Sequence, residues 1–255
     1  MNPPSGVTAL VLAGGGRDDV CRDSPTAVNK AFVQVGGVAL VTATLRALRE
    51  AASISRIIVV APADAPSEPL SLADERRLSG PTISESLANG LAGLPEHDFV
   101  LVVASDLPLL GPLAIDDFLA RAQRPSADLL YGFLARKIHD AHYPQIRHTW
   151  ARFREGIFCG TGLCAIRPRA LPALLRLLNS VAAARKAPWR LASLLGPRIL
   201  WRFALGILGL HETEARISAI LGHPTRGVPT PYPESAINID RYSDLQQCQQ
   251  LLGGK

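Results

Sequence analysis

The stretch VTALVL (Val7–Leu12), followed by AGGGR (residues 13–17), decides the fold of this chain. A mostly apolar run that stops at three consecutive glycines is typical of a buried strand that enters a turn. Glycine has no Cβ, so backbone N–H groups in such a turn can approach a ligand closely. We therefore predict a first strand whose carboxyl end carries a glycine-rich loop.

The segments that follow repeat the order strand, loop, helix, strand. Residues 31–35 and a Gly-Gly pair lead into a helical pattern, and β-branched residues at 57–61 before Pro62 indicate a second strand. A short helix at 84–94 and an apolar strand at 99–104 come next. The apolar face of the first helix is formed by Leu40, Val41, Thr44, Leu45, Leu48 and Ala52. This order predicts a parallel sheet.

The second half of the chain continues the same pattern more loosely. Pro112 opens a predicted helix at 113–122, strands are predicted at 129–133 and 156–166, and a helix at 168–178. Residues 188–222 are mainly helical, and a capping box of Ser243, Asp244 and Gln246 starts a last helix that runs to Leu252. We expect an α/β fold, a three-layer sandwich in one domain of residues 1–255, with a helical appendage near 188–222.

Composition narrows the range of partners. The 255 residues carry a formal charge of +5 and a pI near 9.3, which favours anionic ligands, whereas only 5% aromatic residues argues against nucleic acid. No apolar window reaches the roughly 18 residues of a membrane span, and no signal peptide is recognisable. The four cysteines form no CxxC pair, so we expect buried apolar thiols and a cytoplasmic protein.

Two basic residues accompany the glycine-rich loop. Backbone N–H groups of Gly14, Gly15 and Gly16 could bind a phosphate chain, and Arg17 and Lys30 could neutralise its charge. The loop lacks the spacing of a dinucleotide fingerprint and the G-K-[ST] of a P-loop. A plain tight turn and a solvated surface lysine are therefore the alternatives at this point.

Acidic residues follow the central strand and precede the last helix. Asp106 comes directly after the apolar run at 99–104, where open parallel sheets gather ligands, so it could hold a hard cation. Asn238 and Asp240 would lie on one face of an extended segment and could reach the same Mg²⁺. The alternatives are an aspartate that caps the turn before Pro108 and a polar loop before a helix.

These segments together resemble a known family. LAGG (residues 12–15), NKA (29–31), ASDLPLL (104–110) and NID (238–240) are similar to the ordered signature of the MobA-like NTP transferases. The resemblance implies a fold like that of the GT-A glycosyltransferases, which is Rossmann-related. It also implies transfer of a nucleoside monophosphate from an NTP to a phosphorylated acceptor, with Mg²⁺ as cofactor and pyrophosphate as product.

The resemblance assigns roles to individual residues. Lys30, Arg17 and Asp106 would be catalytic, and Mg²⁺ would be held by Asp106 and Asp240 with Asn238 nearby. Leu12 and Ala13 would join the glycine loop in binding the nucleotide. The sequence departs from the family pattern at GGGRDD (residues 14–19), which stands where G-x-G-x-R-M is usual, and at Asn29, where relatives commonly have proline.

The base and the acceptor are predicted from two further segments. GPTISESLANGL (residues 80–91) is similar to the base-pocket segment of cytidylyltransferases of sugar-alcohol phosphates. It favours CTP over GTP, with contacts from Ser86, Asn89 and Gly90, and a capped helix is the alternative. For a phosphorylated acceptor we predict contacts from Gly160, Thr161, Arg185 and Lys186. We interpret His139, His142 and His148 as surface residues.

Other readings of the chain stay open from the sequence. A glycosyltransferase of similar fold would need D-x-D acids, whereas Ser105-Asp106-Leu107 has one acid. A nucleotide-binding protein without turnover is the third reading. The apolar residues of 188–222 exceed what one amphipathic face requires, so we expect the domain's own core, a second subunit of a homodimer or a membrane headgroup region to cover them.

Overall fold

The computed structural model describes residues 6–123, 126–184 and 195–253. Ten strands are assigned in these ranges. Their bounds are β1 Val7–Leu12, β2 Gln34–Val35, β3 Val38–Ala39, β4 Ile54–Ala61, β5 Glu75–Leu78, β6 Val100–Ala104, β7 Leu129–Ala135, β8 Ala151–Phe153, β9 Gly156–Ile166 and β10 Thr225–Thr230.

Eight α-helices accompany the strands in the same ranges. Their bounds are α1 Leu40–Glu50, α2 Ile83–Leu91, α3 Pro112–Ala122, α4 Arg136–His142, α5 Leu171–Ala184, α6 Pro197–Ala204, α7 Leu210–Leu221 and α8 Tyr242–Gly253. Helix α3 begins with proline at a position where no N–H is needed. Helix α7 ends at Gly222, whose φ of 68° lies in the left-handed region that glycine adopts readily.

One mixed sheet forms the centre of the fold. Its strand order is β10-β7-β9-β6-β1-β4-β5, and β8 pairs with β9. Strand β1 runs parallel to β4 and to β6, and β10 runs parallel to β7. Strand β9 is antiparallel to both β6 and β7. The predicted α/β class with a mainly parallel sheet is confirmed, with β9 as the reversed strand.

Alternate residues of the strands bury opposite faces of this sheet. Ala9 and Val11 pack with α1, α3 and α8 in one apolar cluster. Leu10 packs on the other face with Ile58 and with the apolar sides of α2 and α5. Strands covered on both faces read as nearly continuous apolar runs, which explains the composition of residues 7–12. The result is the three-layer arrangement of helices, sheet and helices.

Several predicted boundaries differ from the structure. Helix α1 ends at Glu50, so Ala52 lies beyond it and is exposed. Helix α2 ends at Leu91 rather than 94. Ser243 is not the first cap of α8, because the helix already begins at Tyr242, and the Asp244 carboxylate accepts from the N–H groups of residues 240 and 241 instead.

The region predicted as a helical appendage divides into two parts, and residues 188–194 lie outside the described ranges. Helix α7 packs against β10 and α5, so it belongs to the layer that covers the sheet. Helix α6 has no buried residue, and Trp201 and Phe203 are exposed. Of the three coverings considered from the sequence, the described part of the domain's own core does not cover Trp201 and Phe203. Within the described ranges, no helix combines the length and apolar character that a membrane crossing requires.

Candidate active site

The glycine-rich loop leaves the carboxyl end of β1 at the centre of the sheet. The Ala13 N–H donates to the carbonyl of Val60, 2.8 Å away, and holds the start of the loop against β4. Gly15 has a φ of 103°, which residues with a Cβ rarely adopt. In the described part of the chain, the N–H groups of residues 14–16 donate to no other residue. These donors are available to a ligand.

Asn29 ties this loop to the residue that follows it in the site. Its side-chain amide donates to the carbonyls of Ala13 and Gly15, at 3.0 and 3.1 Å. Its oxygen accepts from the Ala31 N–H at 2.9 Å and caps the short helical turn Lys30–Phe32. Asn29 is 1% exposed, so these bonds are shielded from water. The side chain thereby fixes Lys30 relative to the glycine loop.

Lys30 contacts two carboxylates that are far from it in sequence. Its Nζ lies 2.7 Å from Oδ2 of Asp106 and 2.8 Å from Oδ1 of Asp240. Nζ also donates to the carbonyl of Ile239 at 3.1 Å. The two contacting carboxylate oxygens therefore lie no farther apart than the sum of the two ion-pair distances. The structure thus brings together three residues from three separate motifs.

The segment at 238–240 is held at the end of β6 by the backbone. The N–H of Ile239 donates to the carbonyl of Asp106 at 3.1 Å, and Ile239 itself is fully buried. The side-chain amide of Asn238 donates to the carboxylate of Asp240. This agrees with the prediction that residues 238 and 240 lie on one face of an extended segment. A buried anchor thus holds an exposed acid at the site.

Burial and pairing act in opposite directions on these charges. Burial alone would lower the pKa of Lys30, but the carboxylates of Asp106 and Asp240 outweigh it and raise that pKa above its usual value. Burial raises the pKa of Asp106, and the Lys30 ammonium opposes this rise. Because Lys30 stays protonated and lies at ion-pair distance, we take Asp106 as ionised at neutral pH.

A cleft with a volume of about 430 Å³ opens above these residues. It lies at the carboxyl ends of β1 and β6, where ligands of open α/β sheets gather. Most residues of the sequence-based assignments lie at its walls. Those that line the cleft are Leu12, Gly14, Gly15, Lys30, Ser86, Asp106, Asn238 and Asp240. Thr161 also lines it, and Ala13 lies directly behind the loop.

Four residues that were predicted to bind the nucleotide lie outside the walls of the cleft. Gly16 and Arg17 are exposed beside the cleft, and the Arg17 guanidinium donates to backbone carbonyls between residues 21 and 27. The Asn89 amide donates to the Leu78 carbonyl, and Gly90 packs against the side chain of Leu10. These contacts hold the loop and seat α2 on the sheet. None of these four described residues lines the cleft.

The Ser86 hydroxyl lies in the cleft wall but is already engaged. It accepts from the Gly80 N–H at 3.1 Å and donates to the Gly80 carbonyl at 3.3 Å. The helix α2 that carries it is capped by Thr82, whose side chain accepts from the Glu85 N–H. The capped helix considered from the sequence is therefore present, but its capping residue, Thr82 in the T-x-x-E signature at 82–85, was not identified there.

The predicted acceptor residues are placed only in part. Thr161 is 8% exposed and lines the cleft, whereas Gly160 lines a neighbouring cavity. Arg185 and Lys186 lie outside the described residues. The register between β7 and β9 shifts beside Thr161, as at a β-bulge. Tyr131, which sequence reasoning missed, lines both spaces.

The interpretation of the histidines needs one correction. His139 is not a surface residue: it is fully buried, and its ring packs edge-on against those of His148 and Trp150. The aromatic packing of α4 against the turn before β8 explains the burial. Among the described residues, no group of three histidine, cysteine, aspartate or glutamate side chains could hold a metal ion. Asp106 and Asp240 therefore form a two-carboxylate set.

The sheet order, the glycine loop and the lysine between two acids are typical of α/β proteins that bind ligands at the carboxyl ends of their strands. A family model for the MobA-like NTP transferase domain matches residues 9–191. The match takes in more than half of the chain, and the protein belongs to this family. It is a nucleotidyltransferase. No curated protein matches the chain in sequence.

Solved structures support the same fold over nearly the whole chain. A hypothetical transferase from Thermus thermophilus is 32% identical with a TM-score of 0.82, and the similarity covers 94% of this chain and 99% of that one. A 2-C-methyl-D-erythritol 4-phosphate cytidylyltransferase, also from Thermus thermophilus, is 23% identical with a TM-score of 0.54, covering 96% and 98%. A CMP:2-keto-3-deoxy-manno-octonic acid synthetase complexed with CTP is 13% identical with a TM-score of 0.61, covering 98% and 99%.

Proposed function

We propose that this nucleotidyltransferase transfers a nucleoside monophosphate, with CTP preferred over GTP, to a phosphorylated small molecule and releases pyrophosphate. The observation that carries the proposal is the convergence of Lys30, Asp106 and Asp240 beside a glycine loop whose N–H groups bond to no other described residue. Nucleotidyl transfer needs positioning and charge stabilisation rather than a protein nucleophile, and this set provides both.

The triphosphate would lie along the loop. The N–H groups of residues 14–16 are directed donors, and donors on a glycine turn suit phosphate oxygens. Lys30 supplies a compact positive charge next to this loop, fixed there by Asn29. The role of Arg17 is proposed as structural support for the loop, because its guanidinium is bonded to backbone carbonyls.

The residues present fit a magnesium ion. Two carboxylates already converge on one cation, the Lys30 ammonium, and Mg²⁺ is usually bound by one or two carboxylates together with substrate phosphates and water. Asp106 and Asp240 would hold the ion, and Asn238 orients Asp240 through its amide. When bound, Mg²⁺ would neutralise the negative charge that develops on the phosphate oxygens.

The transfer step requires no covalent enzyme intermediate. An oxygen of the acceptor phosphate attacks the α-phosphorus in line and forms a new P–O bond. The bond between the α-phosphorus and the bridging oxygen breaks, and pyrophosphate leaves with the electron pair. Lys30 would remain protonated throughout, because both neighbouring carboxylates raise its pKa. It acts as a fixed charge rather than as an acid.

The preference for CTP rests on the segment that begins α2. Gly80, Pro81, Thr82 and Ser86 line the cleft, and this segment resembles the base pocket of cytidylyltransferases. Two structures of similar fold are named for cytidylyl chemistry or contain CTP. The acceptor would lie on the other side of the cleft, toward Thr161 and Tyr131. Arg185 and Lys186 are retained as proposed acceptor contacts.

Thermal stability in the presence of each NTP with Mg²⁺ tests the nucleotide part of the proposal, because a ligand that binds the folded state raises the melting temperature. We expect the largest rise with CTP. Pyrophosphate release in the presence of phosphorylated acceptors then distinguishes a nucleotidyltransferase from the two alternative functions. A glycosyltransferase would instead release a nucleoside diphosphate from a nucleotide sugar, and a binding protein would show the thermal shift alone.

A further inference from the structure

A second and larger cavity, with a volume of about 610 Å³, lies beside the cleft. The two spaces share Leu12, Ile83 and Tyr131 in their walls, so they adjoin each other at these side chains. The other described walls come mainly from β7, β8, β9, β10, α5 and α7. A volume of this size is within the usual range of small-molecule sites. We call this space the apolar cavity.

The walls of the apolar cavity are formed mainly by aliphatic and aromatic side chains. Leu174 and Leu178 of α5 and Ile217 of α7 contribute to it, and so do Phe133 and Phe158. The rings of these two phenylalanines pack edge to face with centroids 5.2 Å apart. Such walls bind hydrocarbon by removing apolar surface from water.

The polar groups that the described residues contribute to these walls are neutral or already bonded. Glu214 accepts from the Gly227 N–H at 2.8 Å and lies 3.7 Å from Arg226. Burial raises the pKa of Cys159 to about 11 and that of Cys164 to about 12, so both thiols are uncharged at neutral pH. A sugar or a second phosphate would find few partners here. The chemistry of the apolar cavity is that of a hydrocarbon site.

Tyr131 marks the junction between the polar cleft and the apolar cavity. Its ring lies over Gly160 so closely that a Cβ at that position would come within 2.1 Å of the tyrosine hydroxyl. A tyrosine ring offers an apolar face with a polar tip, which suits a ligand that changes from polar to apolar along its length. Glycine at 160 allows this ring to lie close against β9 at the junction.

The apolar surface continues from the cavity toward α6. Phe158 packs near Phe153, and Phe153 packs edge-on against Phe203 with centroids 5.8 Å apart. Trp201 on the same helix is 70% exposed. A chain that filled the apolar cavity could therefore continue along apolar side chains rather than meet a polar wall.

We propose that the apolar cavity binds the hydrocarbon part of the acceptor, so that the acceptor is the monophosphate of a long-chain alcohol. Its phosphate would lie in the cleft and its chain in the apolar cavity. That the hydrocarbon belongs to the acceptor rests on the proposed function, whereas the binding of hydrocarbon rests on the cavity alone. A second occupant to be tested is the chain's own segment at residues 185–194, which joins α5 to α6 and is outside the described residues.

Calorimetric titration of the full-length protein with ethyl, hexyl and decyl phosphate tests the proposal. Removing a methylene from water favours binding by about fourfold in the full transfer limit, so we expect the affinity to rise roughly two- to fourfold for each added methylene. Equal affinity for ethyl and decyl phosphate would overturn the proposal, and would indicate that residues 185–194 or other parts of the chain fill the apolar cavity.

Two variants should remove the chain-length dependence by filling the space. Ile217→Trp on α7 and Leu178→Trp on α5 each place an indole in the apolar cavity from a different wall. Ala219→Trp is the matched control, because Ala219 is exposed on the same helix as Ile217. Circular dichroism and CTP binding verify that each variant is folded. If both filling variants fold and still bind decyl phosphate as the control does, the site is elsewhere and the proposal is wrong.

The two proposals fail in different ways. If the protein releases pyrophosphate with short, polar phosphates while alkyl length has no effect, the hydrocarbon inference is wrong and the transfer reaction stands. If alkyl length matters but no NTP is bound or cleaved, the hydrocarbon site stands and the transfer reaction is wrong.

Discussion

The ammonium of Lys30 lies 2.7 Å from the carboxylate of Asp106, although 76 positions separate them in the sequence. The same ammonium contacts Asp240, so one cation joins the end of β6 to the loop before α8. In this structure Lys30 balances two acids that would otherwise repel each other. A triphosphate and Mg²⁺ would each offer a new partner, the phosphates to Lys30 and the metal to the acids.

Replacing the acids tests their role as metal ligands. We expect Asp106→Asn and Asp240→Asn each to lower turnover by at least about 10³-fold, since losing a metal contact to a transferring phosphoryl group costs several kcal/mol of barrier. The measurement is the initial rate of pyrophosphate release as a function of Mg²⁺. Asp64→Asn is the control, because Asp64 is exposed and does not line the cleft. Near wild-type rates in either variant would contradict the assignment.

Replacing Lys30 tests charge stabilisation in the transition state. Lys30→Met keeps an unbranched side chain but removes the charge, and we expect turnover to fall by about 10²–10³-fold, as for other preorganised charges. Lys137→Met is matched to it, since Lys137 is an exposed lysine on α4. Rates and unfolding free energies should be measured together. A loss of stability with unchanged turnover would show that Lys30 only pairs with the acids.

The glycine loop is expected to tolerate no side chain at position 14. A Cβ on Gly14 would come within 2.8 Å of the Ser79 Cβ and 3.3 Å of the Ser86 hydroxyl, so Gly14→Ala must displace the loop. We expect kcat/KM for the NTP to fall by roughly 10- to 100-fold, the usual effect of an ångström-scale misplacement. Gly111→Ala serves as the control, since a Cβ there meets nothing within 4 Å. Equal effects of both substitutions would refute a steric role for Gly14.

An ion-pair cluster outside the cleft predicts a pH-dependent contribution to stability. Burial alone would raise the pKa of Asp128, but hydrogen bonds from Arg169 and His223 outweigh it and lower that pKa below its usual value. A lowered folded-state pKa gives stability that is present above the unfolded pKa of about 3.9 and is lost as the pH falls through the folded value. Asp128→Asn should therefore destabilise the protein by about 1–3 kcal/mol at pH 7.

Urea unfolding of wild type and Asp128→Asn at pH 7 and at pH 3 checks this sign. The difference in unfolding free energy should shrink at pH 3, because this pH lies below the unfolded pKa of about 3.9 and the unfolded chain then binds the proton. Arg169 is part of the same cluster, with its guanidinium 2.5 Å from the Asp128 carboxylate. A difference that is equally large at both pH values would show that Asp128 contributes through packing rather than through its charge.

The sequence predicted the parts of the fold whose pattern is set by burial on both faces. Strand β1 and the run before Asp106 are apolar because helices cover both sides of the sheet, and their bounds were predicted within one residue. Edge elements were missed. Strand β5 reads ERRL, so its sequence has no apolar alternation that could predict a strand. An ion pair between Arg56 of β4 and Glu75 of β5 lies across the two strands. Strand β10 contains Pro229, which an edge strand tolerates.

The site was predictable where residue type and position at a strand end coincide. Asp106 and the glycine loop follow buried strands directly, and the parallel order places their ends at one edge of the sheet. The exact partners were not predictable, because Asn29 and Tyr131 act through contacts that depend on how distant strands pack. Arg17 is the opposite case. Its positive charge predicted that it would contact phosphate, whereas in the folded chain its guanidinium donates to backbone carbonyls of the neighbouring loop.

The fate of an isotope label at the α- or the γ-phosphate of CTP tests the central claim most directly. The wild-type protein would be incubated with Mg²⁺, a set of phosphomonoesters including decyl phosphate, and CTP labelled either at the α- or at the γ-phosphate. The account predicts the α-label in a CMP adduct of the acceptor and the γ-label in pyrophosphate, with both lost in Asp106→Asn. A γ-label released as inorganic phosphate, or labelled adduct formed equally by Asp106→Asn, would contradict it.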